Sequence, residues 1–239
     1  MRVRGFTVLS LAVLATPLAR AQTPPAADAG IAPFSARYEA DWKNIHVGSS
    51  DLDLKKDVAP GRYLYTWTIT ARGIFRIAYR DDLIQKSWLS IGADGVRPEK
   101  YRAVDGSSSV NLDFDWNTGH VRGTSENKAV DLALEEGTQD VMSIQIQVMV
   151  DLERGHLPAR FHIIDKDELK EFTYTEEGNV RIRTALGELD TIVVASRHAG
   201  NDRILRMWFA PSLGFVPVQA QRSRDGRLEF AMRIKTLKR

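Results

Sequence analysis

Residues 34–42 read Phe34-Ser35-Ala36-Arg37-Tyr38-Glu39-Ala40-Asp41-Trp42. Phe34, Ala36, Tyr38, Ala40 and Trp42 alternate with Ser35, Arg37, Glu39 and Asp41. Successive side chains of a β-strand point to opposite faces, so this stretch separates an apolar face from a polar one. Such a strand is buried on one side and solvated on the other, the arrangement that antiparallel sheets provide.

The same period of two recurs in both directions along the chain. Leu52 and Leu54 alternate with Asp51, Asp53 and Lys55, and Tyr63, Tyr65, Trp67 and Ile69 with Thr66, Thr68 and Thr70. Residues 83–91 continue the pattern, Ala93-Asp94-Gly95 marks a turn, and Val110, Leu112, Phe114 and Trp116 alternate with Asn111, Asp113 and Asp115. Asn117-Thr118-Gly119 and Asp225-Gly226 carry hairpin chemistry, because Asn, Asp and Gly tolerate the positive φ that tight hairpins need. Further strands are predicted at 160–164, 171–175, 180–184, 189–196, 204–209, 216–221 and 228–236, the last with Leu228, Phe230, Met232 and Ile234 facing inward.

One segment departs from this. In TQDVMSIQIQVMVDLERG, from Thr138, Val141, Ile144, Val148 and Leu152 recur at spacings of three and four. Thr138 or Asp140 caps the start and Gly155 ends it, which favours a helix over 138–153 although Ile144, Ile146, Val148 and Val150 also alternate. The expected fold is therefore all-β and mainly antiparallel: a strongly curved sheet or partial β-barrel of about a dozen strands, its open side plugged by that one helix, since a large antiparallel sheet must protect its edges.

The N-terminus points to export. Arg2 and Arg4 precede an uncharged apolar run from Phe6 to Leu14, and Ala19-Arg20-Ala21 fits a small-x-small cleavage site. The run is too short for a membrane span, which needs roughly 20 residues. The expected organisation is a signal peptide at 1–21 cleaved near Ala21, a flexible Ala- and Pro-rich leader at 22–33, and a single β-rich domain at 34–239 in the periplasm. No second run is long enough to span a bilayer.

Charge and cysteine content narrow the function. The formal charge of +2 includes Arg2, Arg4 and Arg20, and without them 30 basic residues face 31 acidic ones, interspersed along the chain. Nucleic-acid binding wants clustered Lys and Arg, and none is visible. With no Cys, disulfides, thiolate metal sites, Cys nucleophiles and a lipidated N-terminal Cys are all excluded.

Catalytic patterns are absent. His46, His120, His156, His162 and His198 form no zinc-binding spacing. Gly106-Ser107-Ser108-Ser109 is not a nucleophile elbow. Asp51 with Asp53, and Asp113 with Asp115, share strand faces, and paired carboxylates run glycoside hydrolysis; the opposite faces are apolar, so a solvated outer surface accounts for them. Asp165-Lys166-Asp167-Glu168 reads as a hairpin tip. No cofactor and no metal is expected.

The aromatic residues are the best lead. Trp42, Tyr65, Trp67, Trp88 and Trp208 fall in predicted strands, where they serve as core packing or line an apolar concavity. Arg72-Gly73-Ile74-Phe75, where Gly73 interrupts a strand-like run, is a candidate rim.

Four stretches in order resemble a family of bacterial exported proteins known as domain of unknown function 3108. They are Tyr38-Glu39-Ala40-Asp41-Trp42 with Ile45, Gly48 and Leu52; the 140–152 segment entered through Gly137-Thr138-Gln139; Leu186-Gly187-Glu188-Leu189-Asp190-Thr191; and Met207-Trp208-Phe209-Ala210-Pro211 followed by Phe215-Val216-Pro217-Val218. The resemblance implies a periplasmic, β-rich protein without assigned activity, similar in architecture to lipoprotein-carrier-like half-barrels that hold acyl chains. The expected function is a non-enzymatic envelope protein that binds an apolar or amphipathic ligand, such as a lipid, or an envelope protein partner. The competing expectation is a carboxylate-dependent hydrolase of cell-wall glycans using Asp113 and Asp115.

Overall fold

The computed structural model of the chain describes residues 31–78, 81–106 and 108–239. The signal peptide predicted at 1–21 and all but the last three residues of the leader at 22–33 lie outside the described residues. Ile31 is buried in the core, so packing begins ahead of the first strand.

Fifteen strands among the described residues form one sheet. In chain order they are β1 (Phe34–Trp42), β2 (Ile45–Lys56), β3 (Arg62–Ala71), β4 (Leu83–Gly92), β5 (Gly95–Asp105), β6 (Ser108–Asp115), β7 (His120–Ser125), β8 (Lys128–Ala133), β9 (Gln139–Asp140), β10 (Arg160–Asp165), β11 (Glu168–Thr184), β12 (Gly187–His198), β13 (Arg203–Ala210), β14 (Val216–Arg224) and β15 (Arg227–Lys238). A one-turn helix α1 (Phe75–Ala78) interrupts the β3–β4 connection, and α2 (Ser143–Glu153) follows β9.

The spatial order is β8-β7-β6-β5-β4-β3-β2-β1-β15-β14-β13-β12-β11-β10-β9. Two meanders, β1–β8 and β10–β15, are joined side by side where β1 pairs antiparallel with β15, Tyr38 opposite Ile234 and Ala40 opposite Met232. Every pairing is antiparallel except the short parallel contact of β9 with β10. The sheet does not close. Its ends approach each other instead: Lys166 in the β10–β11 turn reaches Glu126 in the β7–β8 turn at 2.7 Å.

The β1 alternation places Phe34, Ala36, Tyr38 and Ala40 on the inner face, each less than 4% exposed. Register carries that face across the sheet. Leu52 and Leu54 lie opposite Trp67 and Tyr65, and Trp67 and Tyr65 lie opposite Gln85 and Ser87. Asp225-Gly226 makes the β14–β15 turn with φ of 49° and 73°, the positive values a two-residue hairpin requires.

The helix expected over 138–153 begins at Ser143. Gln139 and Asp140 are drawn into β9 by pairing with Ile163 and Ile164. Asp140 then acts as the cap: its Oδ1 accepts the amides of Met142 and Ser143 at 2.7 Å each, and the Ser143 hydroxyl accepts the Asp140 amide at 2.9 Å. Thr138 instead accepts the Glu135 amide at 3.2 Å. Gly155 does end the helix, with φ of 72° and its amide on the Leu152 carbonyl.

Helix α2 is buried nearly all round. Ile144, Ile146, Val148, Met149, Val150 and Leu152 are all core residues, which is why its periodicity reads ambiguously in the sequence. Polar contacts fix its seat against the first meander. The Val96 amide donates to Gln147 Oε1 at 2.7 Å, Gln139 Nε2 donates to the Val96 carbonyl at 2.8 Å, and Ser87 Oγ donates to Asp140 Oδ2 at 2.6 Å.

Candidate functional site

The curled sheet and α2 do not fill the space between them. A cavity of about 510 Å³ remains, walled by Tyr38 and Trp42 of β1, Leu52 of β2, Trp67 and Ile69 of β3, Val141, Met142, Ile144 and Gln145 at and just before the start of α2, Tyr174 of β11, Leu205 and Met207 of β13, and Phe230 and Met232 of β15. Both meanders contribute, so the cavity straddles the β1–β15 seam. A second cavity of about 300 Å³ shares Trp42, Ile69, Leu83 and Phe230 with it and extends towards Phe75 of α1. Volumes of this size are typical of small-molecule sites, which are lined mostly by apolar side chains with a few placed polar groups.

Tyr38 anchors the wall by donating its hydroxyl to the Pro217 carbonyl at 2.7 Å. Trp67 donates its indole N–H to Ser50 Oγ at 2.6 Å, which sets its ring orientation. Trp42 is 38% exposed and stands at the rim, with the Arg222 guanidinium 5.8 Å from its ring centroid. The Gln145 side-chain N–H₂ is buried on α2 without a hydrogen-bond acceptor among the described residues.

The five aromatic residues singled out in the sequence part company here. Trp42 and Trp67 line the cavity. Tyr65 lies in the fully buried core at 0% exposure, its hydroxyl without a hydrogen-bond partner. Trp88 sits between the buried Ser87 and Leu89, so alternation turns it to the convex face. Trp208 is half-buried against the core, next to the bulge at Phe209, and does not line the cavity. The rim segment at 72–75 contributes Phe75 to the smaller cavity, with Ile74 and Ile77 exposed beside it.

Sequence reasoning missed Leu205, Gln145 and Arg222 as lining residues. Phe230 and Met232 were legible from their alternation, but not as cavity walls. A polar residue on an inward strand face is the signal that identifies Arg222: it lies opposite Phe230 in the β14–β15 register and Leu205 in the β13–β14 register.

The carboxylate pairs face away from this cavity. Asp113 is exposed on the convex side and bonds Arg102 through both oxygens, at 2.8 and 3.0 Å. Asp115 accepts the amides of Asn117 and Thr118 at 3.0 and 3.2 Å; the Thr118 hydroxyl first, then these amides, hold its carboxyl below the usual range. Asp51 pairs with Arg37 at 2.7 Å. Of the histidines, His120 pairs with Asp131 at 2.7 Å, and His162 lies between Glu135 at 2.6 Å and Glu171 at 3.7 Å. Among the described residues no group of three His, Asp or Glu side chains is arranged to hold a metal.

A single open antiparallel sheet curled over one buried helix, with an apolar cavity at its seam, defines a β-rich concave protein. The chain belongs to the family described as Protein of unknown function (DUF3108), whose model matches residues 37–231. No curated protein matches it. Among solved structures, it is similar to a chain in the MucA/MucB complex of Pseudomonas aeruginosa at 11% identity and a TM-score of 0.36, covering 86% of this chain but only 51% of that one. It is also similar to a candidate lipoprotein from Parabacteroides distasonis (8% identity, 86% and 95% covered, TM-score 0.39). A third likeness is to a candidate exported protein with a YmcC-like fold from Bacteroides fragilis (6% identity, 86% and 95% covered, TM-score 0.35). Scores this low leave function to be argued from this chain's own residues.

Proposed function

We propose that this chain is an exported, non-enzymatic protein of the cell envelope that holds an apolar or amphipathic ligand between its curled sheet and α2. The observation that carries the reading is the cavity of about 510 Å³ lined by Trp67, Leu52, Ile144, Leu205, Met207 and Met232. Apolar walls left unfilled forfeit dispersion contacts that a close-packed interior gains. A ligand with a hydrocarbon portion restores them. The signal peptide expected at 1–21, with Arg2, Arg4 and the Ala19-Arg20-Ala21 tripeptide, supports delivery to the envelope.

Native mass spectrometry of the protein recovered from its own envelope tests the binding. A co-purifying adduct of lipid mass is expected. So is bright emission from the neutral dye Nile red, lost in the cavity-filling variants Leu205→Trp and Ala220→Phe while their melting temperatures stay close to wild type. Absence of any adduct, together with dye emission unaffected by cavity filling, refutes the reading. Edman sequencing of the same material should begin at Gln22.

A further inference from the structure

Arg222 is the one charged side chain among the described residues that line the main cavity. It is 39% exposed, so it stands where the apolar space meets solvent, beside the Trp42 ring. Among the described residues its one ion-pair partner is Glu229, with Nε 3.3 Å from Oε2. That distance is long for a charge-assisted bond, and Nε has no hydrogen-bond partner among the described residues. Glu229 is also shared: Arg203 reaches the same oxygen at 3.1 Å. Two guanidinium groups on one carboxylate leave this corner of the rim, beside Trp42, with an excess positive charge, whereas Asp81 and Asp105 line the adjoining cavity.

A second donor lies on the opposite wall. Gln145 of α2 lines the cavity and carries a buried side-chain N–H₂ without an acceptor. Buried donors are nearly always paired, and leaving one unpaired is unfavourable. The cavity thus presents two unused donors, one of them cationic, among walls that are mostly apolar apart from Gln85 and Gln219. A neutral hydrocarbon satisfies neither donor, and a cationic headgroup would be repelled by Arg222.

We propose that the cavity takes a single-chain anionic amphiphile, its tail among Trp67, Leu205, Met207 and Met232 and its carboxylate or phosphate oxygens on Arg222 at the rim. This deepens the reading of the cavity as a ligand site and rests on it.

Displacement of bound Nile red by laurate, dodecyl phosphate, dodecanol and inorganic phosphate, each below its micellar concentration, separates the two claims. Laurate and dodecyl phosphate are expected to bind roughly tenfold or more tightly than dodecanol, equivalent to about 1.4 kcal/mol. That preference should shrink at high salt, disappear in Arg222→Gln and survive in Arg222→Lys. The salt series uses the wild-type chain and holds even if a variant fails to fold. Equal binding of laurate and dodecanol, with no salt effect, overturns the anionic assignment and leaves the apolar site standing. Displacement by none of the three dodecyl compounds overturns both. Inorganic phosphate competing as well as dodecyl phosphate overturns the placement of the tail.

Discussion

Replacing Asp140 by Asn should make the protein more stable at neutral pH and remove a pH dependence that the wild type carries. Asp140 is fully buried between β4 and the start of α2. Its carboxylate accepts three hydrogen bonds, from Ser87 Oγ and from the Met142 and Ser143 amides, and these favour the ionised form. Burial outweighs them and pushes the carboxyl from 3.8 up to about 6. The native state then binds a proton more tightly than the unfolded chain does. The associated stability is fully present below about 3.8 and is lost as pH rises through about 6. The difference of about 2.2 units between those values, at 1.36 kcal/mol per unit, gives about 3 kcal/mol.

Asn keeps one oxygen for the two α2 amides, and its Nδ2 donates to the Ser87 hydroxyl, which is itself able to accept. It carries no charge to desolvate. Urea unfolding followed by tryptophan fluorescence, at intervals from pH 4 to pH 7, measures wild type and Asp140→Asn side by side. Exposed carboxylates such as Asp190 and Asp131 titrate in both proteins and cancel in the difference. The variant should gain on wild type by about 2 kcal/mol between pH 4 and pH 7, since part of the full difference is already lost at pH 4. A difference that stays flat with pH, or a variant about 2 kcal/mol less stable at pH 7, refutes the argument that desolvation dominates at this site.

Other perturbations test other contacts. Tyr38→Phe removes the bond to the Pro217 carbonyl and should lower stability by about 1–2 kcal/mol, whereas Tyr65→Phe deletes an unpartnered buried hydroxyl and should be neutral or stabilising; denaturant midpoints compare the two. Gly48→Ala would set a Cβ 2.1 Å from the Thr70 carbonyl oxygen across the β2–β3 ladder, so calorimetry should record a loss of about 2 kcal/mol or more. Phe209→Ala empties a fully buried site and should cost about 3–5 kcal/mol by the same measurement. Asp113→Asn breaks an exposed pair with Arg102 and should shift stability by no more than about 1 kcal/mol.

The alternation in β1, β2 and β3 made the sheet and its inner face legible, because nothing in those strands disturbs the period of two across most of their length. Where a bulge intervenes, the reading falters. In β5 the register slips at Glu99, opposite the Trp88–Leu89 step, so Val96 and Pro98 face inward with one parity and Tyr101 and Ala103 with the other, and no strand was anticipated there. In β11 a bulge between Glu176 and Gly178 splits one long strand into two apparent ones. The short β7 and β8 went unread for a different reason: Gly123, Thr124, Lys128 and Asp131 leave too few apolar positions to set a period.

The site was half legible. Trp42 and Trp67 follow from their strand parity. Trp88 does not, because β4 carries Gln85 and Ser87 on its inner face, where Tyr101 and Asp140 engage them, and an inward polar pair makes the aromatic face look like the buried one. Arg222 and Gln145 were invisible for the same reason in reverse, since a charged or amide side chain in an amphipathic segment reads as solvated until the register shows which way it points.

The seam between β1 and β15 governs how this chain must assemble. Within each meander every strand pairs with its sequence neighbour, so loop-closure entropy is small and hairpins can zip up locally. The β1–β15 ladder instead joins residues such as Ser35 and Lys238, almost the whole described length apart. A chain emerging N-terminus first leaves one edge of β1 unsatisfied until its final residues arrive. Until then Phe34, Ala36, Tyr38 and Ala40 have no partner strand on that side, an open edge of the kind that pairs with other chains. Truncation of the last dozen residues would therefore leave two separately zipped halves with no wall between them, prone to stick to one another across molecules.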